Sequence, residues 1–106
     1  MDSQEKWVTV AKRGDLPAGQ IKGLKIGEHE IALYNLDGEF HATDNVCSHA
    51  YARLSDGFID RGQIVCPLHA GCFDIKTGKA MEAPAEVDIR TFPVRLVGDE
   101  IEIRVD

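Results

Sequence analysis

Two short segments of the sequence each combine a cysteine with a histidine. The first, CSH, occupies positions 47–49, and the second, CPLH, follows after sixteen residues at positions 66–69. Each segment supplies one thiolate and one imidazole, which are side chains that bind transition metals. A single Cys-x-His match is common by chance, whereas two such segments in one small chain are much more specific. Cys47, His49, Cys66 and His69 are therefore candidate ligands of one metal centre.

Two cysteines and two histidines suit two kinds of centre. One is a tetrahedral zinc ion, and the other is a two-iron cluster in which two histidines replace two cysteines on one iron. Structural zinc sites usually place two ligands of one type close together, as in Cys-x-x-Cys. Here each segment mixes the types, which favours a binuclear site over zinc. A cysteine nucleophile activated by histidine is a third interpretation, but it gives the repeated arrangement no purpose.

The third cysteine, Cys72, lies three residues after His69 and outside the repeated pattern. Because cysteine without a ligand role is commonly a small buried apolar residue, we expect Cys72 to serve packing. Tyr51 lies between the two segments, where it either covers the centre or contacts a partner protein.

Strands are predicted on both sides of this region by alternating apolar and polar residues. They fall at 7–10, 21–26 and 31–36, and again between 90 and 105, where a Val97-Gly98-Asp99 turn interrupts them. Asp37-Gly38 predicts a tight hairpin. The helix candidates are single turns near 11–16. Between 44 and about 82, short strands at 63–66 and 73–75 alternate with loops of the kind that usually carry function. These patterns predict an antiparallel all-β domain.

The chain length and net charge restrict the class of function that the protein can have. The 106 residues form one domain, and the net charge of −6 argues against nucleic acid and suits basic surfaces on protein partners. There is no apolar run long enough for a membrane span, and the start MDSQEKW lacks a signal-peptide pattern. We therefore expect a cytoplasmic protein. Its three cysteines indicate metal or redox chemistry before disulfides.

With these motifs the sequence resembles the Rieske [2Fe–2S] proteins over nearly its whole length. Further agreement lies in LSDG at 54–57, FD at 73–74, TG at 77–78 and Pro84. It is most similar to the ferredoxins of bacterial aromatic ring-hydroxylating dioxygenase systems. The resemblance implies a barrel-like or sandwich-like antiparallel base domain, residues 1–43 and 86–106. A small cluster-binding subdomain, residues 44–85, would complete a single domain of residues 1–106.

The resemblance also implies a cofactor and a role. One [2Fe–2S] cluster per chain would be held by Cys47 and Cys66 on the buried iron and by His49 and His69 on the outer iron. The chain would be a monomeric electron carrier and not an enzyme. It would pass electrons from a flavin-dependent NAD(P)H reductase to a terminal oxygenase, with no contact to nucleic acid or membrane. The alternatives are a small subunit of an assimilatory nitrite reductase, and a structural zinc or redox-sensing module.

Four positions predict a low reduction potential. High-potential members of the family brace their ligand loops with a disulfide, and the matching residues here are Ala52 and Leu68. They also direct Ser and Tyr hydroxyls at cluster sulfurs, where this chain has Gly71 and Phe73. Fewer hydrogen bonds to sulfur lower the potential. We expect a midpoint near the low end of the Rieske range, about −150 mV.

Overall fold

The computed structural model of the protein describes residues 6–46, 52–67, 71–82 and 87–105. Within these ranges the chain forms short β-strands and two single turns of 3-10 helix, at Arg13–Asp15 and Leu54–Asp56. The strands are β1 Trp7–Lys12, β2 Ile21–Ile26, β3 His29–Leu36, β4 Glu39–Asp44, β5 Phe58–Asp60, β6 Gln63–Val65, β7 Cys72–Asp74, β8 Ala80–Glu82, β9 Thr91–Phe92, β10 Val94–Val97 and β11 Glu100–Arg104.

These strands form three sheets in which every pair is antiparallel. Sheet 1 has the order β1-β11-β10, sheet 2 the order β2-β3-β4-β9, and sheet 3 the order β5-β6-β7-β8. The antiparallel all-β prediction is therefore confirmed. The single helical turn predicted near 11–16 is also present, at Arg13–Asp15.

Sheet 2 is the middle layer because β3 is buried on both faces. Alternate residues of a strand point to opposite sides. Ile31 and Leu33 accordingly join one apolar core, which we call the base core, with Ile101 and Ile103 of sheet 1. The intervening residues of β3 join a second core, the site core, which extends to sheet 3. Its buried members are Ala32, Tyr34, Ala52, Leu54, Ile64, Cys66, Phe73, Ile75 and Ile89.

The predicted Asp37-Gly38 hairpin joins β3 to β4. Both residues have positive φ, 52° for Asp37 and 97° for Gly38, as a two-residue turn with the twist of the flanking strands requires. The Gly38 N–H donates to Asn35 Oδ1 at 2.7 Å, which fixes the turn to the end of β3. The turn at Gly98-Asp99 between β10 and β11 also agrees with the sequence prediction.

Sheet 3 differs most from the sequence prediction. Strands β5 and β8 were not predicted, and the tight turn between β5 and β6 is made by Arg61 and Gly62, with φ of 54° and 78°. Each strand of sheet 3 has only three residues. Strands β6 and β7 lie within one residue of the short strands predicted at 63–66 and 73–75. A run of three residues is too short to show the alternating pattern that would predict β5 and β8.

Candidate metal centre

Of the four predicted ligands, Cys66 lies among the described residues. The other three, Cys47, His49 and His69, lie outside them, as do Tyr51 and Leu68. The structure therefore describes the strands and turns at both ends of each ligand segment.

The second ligand segment begins and ends on neighbouring strands. Cys66 directly follows β6, and Val65 of β6 is paired with Cys72 of β7. The Cys66 N–H donates to the Gly71 carbonyl oxygen at 2.8 Å, which extends the ladder by one bond. The bond between Cys66 and Gly71 thus closes the antiparallel pair of β6 and β7, with Cys66 at the end of that pair.

Cys66 is buried in the site core, with only 1% of its surface exposed. Its neighbours in that core are almost all apolar. Cysteine binds iron through its deprotonated sulfur. An iron bound by Cys66 would lie against the apolar side chains of the site core. The position of Cys66 therefore fits a ligand to a buried iron.

The first ligand segment is also closed at its base. Val46 and Arg53 form an isolated antiparallel bridge on either side of residues 47–52. The Leu54 N–H donates to the Asn45 carbonyl oxygen at 2.6 Å. The Asn45 side chain, which is buried, binds both the backbone N–H and the hydroxyl of Ser55. The described residues on the two sides of each predicted ligand segment are therefore hydrogen-bonded together.

Gly57 brings these two loops next to each other. A Cβ at this position would collide with the carbonyl oxygen of Val65, the residue before Cys66. Only glycine allows the turn that follows the first loop to lie this close to the start of the second. As a result Ala52 and Leu54 from the first loop pack in the same core as Cys66. This close approach explains why the LSDG segment ends in glycine.

The TG segment, residues 77–78, likewise allows two backbone segments to lie close together, here at the turn between β7 and β8. Gly78 has a φ of 77°, and a Cβ there would collide with the carbonyl oxygen of Ile89. The Ile89 N–H donates to Gly78 O at 2.8 Å, while Asp74 Oδ2 accepts from the Thr77 N–H and hydroxyl. Ala80 N–H donates to Asp88 Oδ1 at 2.9 Å. These bonds join the chain on the two sides of residues 83–86, which lie outside the described part.

Two of the four residues used to predict the potential are buried in the site core. Phe73 is fully buried in the site core with Cys66, and Ala52 is buried in the same core. Cys72 is 8% exposed, as expected for a packing residue, and β7 directs it to the opposite face from Phe73. The low potential itself remains a prediction.

Elsewhere, the described residues contain no other group of three or more His, Cys, Asp or Glu side chains that could hold a metal ion. His41 instead binds Glu39 at 3.3 Å, and with Lys76 it holds the pKa of the Glu39 carboxyl below its ordinary value. His29 contacts the Phe92 ring edge. Both histidines therefore have structural roles within sheet 2. In the described part of the chain, no helix has the length and apolar composition needed to cross a bilayer.

The family model described as the Rieske [2Fe–2S] domain matches residues 6–93 of this chain. The ferredoxin component of the naphthalene 1,2-dioxygenase/salicylate 5-hydroxylase systems of Ralstonia sp. is 43% identical over 102 residues, which cover 96% of this chain and 98% of that protein.

Two solved structures are similar in fold and in sequence. The ferredoxin of carbazole 1,9a-dioxygenase from Nocardioides aromaticivorans IC177 has a TM-score of 0.89 and 31% identity, covering 92% of this chain and 95% of that one. A chain in the complex of reduced oxygenase and oxidized ferredoxin in carbazole 1,9a-dioxygenase has a TM-score of 0.87 and 32% identity, covering 92% and 91%.

Proposed function

Because the chain belongs to the Rieske [2Fe–2S] domain family, we propose that Cys47, His49, Cys66 and His69 bind its cluster. The chain is a ferredoxin component of the kind found in aromatic dioxygenase systems, an electron-transfer protein and not the oxygenase itself. The observation that supports this ligand set best is the buried position of Cys66 at the base of a hairpin, beside the closed ends of the first ligand loop.

Two cysteines and two histidines are the ligands that a Rieske-type [2Fe–2S] cluster requires. When bound, a cluster of this type is reduced and reoxidised by one electron, at a higher potential than an all-cysteine cluster because neutral imidazoles replace two thiolates. Cys66 would hold the iron that faces the site core, where Phe73 and Ile64 exclude water. Cys47 would share that iron, and the two histidines would hold the other. The chain's own contribution is to fix these four side chains and to keep the cysteine side dry.

We further propose the partners. Electrons come from a flavin-dependent NAD(P)H reductase and go to a terminal oxygenase that hydroxylates an aromatic ring. Support comes from relatives named as components of naphthalene and 2,4-dinitrotoluene dioxygenase systems, and from the similarity to a structure of an oxygenase–ferredoxin complex. The charge of −6 suits encounters with basic partner surfaces. We also propose that the protein is monomeric and cytoplasmic.

The proposed division into subdomains follows the sheets. Sheet 3, at residues 58–82, falls inside the cluster-binding subdomain of residues 44–85, and sheets 1 and 2 fall almost entirely in the base, residues 1–43 and 86–106. The site core crosses this boundary, since Tyr34 and Ile89 belong to it. We therefore expect the two parts to unfold together.

The alternative functions are less well supported. A nitrite reductase small subunit is not favoured, because the curated relatives are named as ferredoxin components of dioxygenase systems. A structural zinc module would not require the acid-labile sulfide that a [2Fe–2S] cluster contains.

Metal analysis of the purified protein, with visible absorption, tests the ligand assignment. We expect two irons and two acid-labile sulfides per chain, lost when any one of Cys47, His49, Cys66 or His69 is replaced by Ala. Cys72→Ser provides the matched control, because Cys72 is a buried cysteine six residues from Cys66, and it should keep the absorption spectrum. Zinc without sulfide, or cluster loss in the Cys72 variant with retention in the Cys66 variant, would refute the assignment.

A separate reconstitution tests the partners. The protein, mixed with NADH, a flavin-dependent ferredoxin reductase and a terminal aromatic-ring oxygenase, should support product formation that depends on its concentration. A holoprotein that is reduced by the reductase but never reoxidised by any aromatic-ring oxygenase would contradict the proposed electron acceptor.

A further inference from the structure

A buried asparagine, Asn45, lies two residues before the first proposed ligand, Cys47. Only 3% of its surface is exposed, and an amide is costly to bury unless its polar atoms are paired. Its backbone N–H donates to the Glu30 carbonyl oxygen at 2.9 Å, and its own carbonyl accepts from the Leu54 N–H at 2.6 Å. The backbone at Asn45 therefore joins the start of β3 to the turn that follows the first ligand loop.

The side chain of Asn45 uses both of its polar atoms on Ser55. Oδ1 accepts the Ser55 backbone N–H at 2.7 Å, and Nδ2 donates to the Ser55 hydroxyl oxygen at 3.0 Å. Together with the bond from Leu54, three hydrogen bonds connect Asn45 to residues 54–55. The segment between them contains Cys47 and His49, so these bonds set the separation of the two ends of the first ligand loop.

Strand β2 closes over this contact at Gly23. A Cβ at Gly23 would lie 2.8 Å from Ser55 Oγ and 3.1 Å from Asn45 Nδ2, which is closer than ordinary contacts allow. The amide and the hydroxyl are therefore packed against the backbone of β2. In addition, Arg53 Nε donates to Glu30 Oε1 at 3.1 Å. The two ends of the loop thus have little freedom to separate.

From this geometry we infer that Asn45 is a positioning residue for the cluster. Its amide, acting through Ser55, fixes the ends of the first ligand loop and so sets where Cys47 and His49 stand relative to Cys66. Asn45 is not itself a ligand. The inference rests on the proposed ligand set, which the metal analysis of the unchanged protein tests independently.

The chain offers a matched control in Asn35. It is buried to a similar extent, at 7% exposed, and its amide also makes two hydrogen bonds, to the Leu16 carbonyl oxygen at 2.8 Å and from the Gly38 N–H at 2.7 Å. Asn35 holds the hairpin between β3 and β4, at the opposite end of β3 from Glu30. Asn35→Ala should therefore lower stability as Asn45→Ala does, without affecting the ligand loop.

The experiment compares holoprotein carrying Asn45→Ala, Ser55→Ala, both changes, or Asn35→Ala. Three properties are measured: the rate of cluster release to an iron chelator below the unfolding temperature, the g values of the reduced protein, and the midpoint potential. Thermal unfolding of each variant is measured in parallel. Release and g values report on ligand placement, whereas a general loss of stability appears in the unfolding temperature alone.

We expect Asn45→Ala to release iron about tenfold faster than the unchanged protein, because at least one net hydrogen bond is lost. Its g values and potential should also shift. Ser55→Ala should show a smaller change of the same kind, since the N–H to Oδ1 bond remains. Adding Ser55→Ala to Asn45→Ala should change nothing further, because the two side chains act through one another. Asn35→Ala should lower the unfolding temperature and leave release, g values and potential unchanged.

The inference is overturned if Asn45→Ala releases iron no faster than Asn35→Ala and keeps the original g values. It is also overturned if the effects of Asn45→Ala and Ser55→Ala simply add. If Asn45→Ala fails to fold, Ser55→Ala is compared with Asn35→Ala instead. The inference is then overturned if Ser55→Ala releases iron no faster than Asn35→Ala and keeps the original g values. An unchanged protein without two irons and two sulfides would instead refute the ligand set, and that is measured before any variant is made.

Discussion

With the proposed ligand set, side chains next to Cys66 would decide how many hydrogen bonds the cluster sulfurs can receive. Gly71, whose carbonyl accepts from the Cys66 N–H, has no side chain, and Phe73 has no hydroxyl. Phe73 is fully buried in the same core as Cys66. A hydrogen bond to sulfur stabilises the more negative, reduced state, so we expect the absence of these hydroxyls to lower the potential.

Phe73→Tyr should raise the midpoint potential. One hydrogen bond worth about 1 kcal/mol to the reduced state corresponds to roughly 40 mV for a one-electron couple. Voltammetry of the folded holoprotein measures the shift. Phe92→Tyr is the control, because Phe92 is buried in the base core and its hydroxyl would not approach the cluster. A folded Phe73→Tyr variant with an unchanged potential would show that this side chain does not tune the cluster.

Turns that depend on local chemistry could be predicted from the sequence. Asp37-Gly38 lies between two alternating runs, and both residues adopt the positive φ that the hairpin needs. The strands of sheets 1 and 2 are four residues or longer, apart from β9, and their alternation is visible in the sequence. In sheet 3, β6 and β7 lie within one residue of the predicted short strands at 63–66 and 73–75. Strands β5 and β8 and the turn at Arg61-Gly62 are not predicted, because three residues are too few to show an alternating pattern.

For the candidate site as well, some features could be predicted from the sequence and others could not. The ligand types and their spacing are properties of the sequence, and so is the LSDG segment. The need for glycine at position 57 cannot be predicted from the sequence, because it arises from the close approach of the Val65 backbone. The bonds between Asn45 and Ser55 join residues ten positions apart. Such contacts exist only once the loop ends have come together, so residue type alone did not indicate Asn45.

Gly57→Ala should separate the two ligand loops. The added Cβ would collide with the Val65 carbonyl oxygen, a backbone atom that cannot move without distorting β6. We expect a loss of about 1–3 kcal/mol in the free energy of unfolding, typical of overpacking, measured by urea denaturation. Gly14→Ala is the matched control, because nothing lies within 4 Å of a Cβ there. Equal effects of the two changes would contradict the close approach described above.

The middle layer couples the two halves of the molecule through a buried tyrosine. Tyr34 lies in the site core, and its hydroxyl is 2.7 Å from Oγ1 of Thr43 on the neighbouring strand. Thr43 Oγ1 donates to the Asp44 carbonyl oxygen, so Tyr34 is the donor to Thr43. Burial raises the pKa of the Tyr34 hydroxyl well above its ordinary value, and the nearby charge of Asp44 adds to this.

This pKa predicts that the whole molecule loses stability at high pH. The unfolded chain releases the Tyr34 proton near pH 10 and the folded chain only at higher pH, so the stabilisation is complete below about pH 10 and declines above it. The slope contributed by Tyr34 is at most about 1.4 kcal/mol per pH unit. Urea unfolding of the protein and of Tyr34→Phe between pH 8 and 11 measures the difference. The variant should lose about 1 kcal/mol at pH 8 and show a shallower alkaline decline; parallel curves would contradict the assignment.

The net charge of −6 predicts how the molecule meets its partners. If basic partner surfaces attract it, electron transfer from the reductase should slow as ionic strength rises, because salt screens long-range attraction. Stopped-flow reduction between about 20 and 300 mM salt measures this, with an uncharged small-molecule reductant as the control that should not respond. A rate independent of salt would point instead to apolar docking. The exposed side chains of Val46, just before the first ligand segment, and of Met81 and Val87, on either side of residues 83–86, would then provide the contact surface.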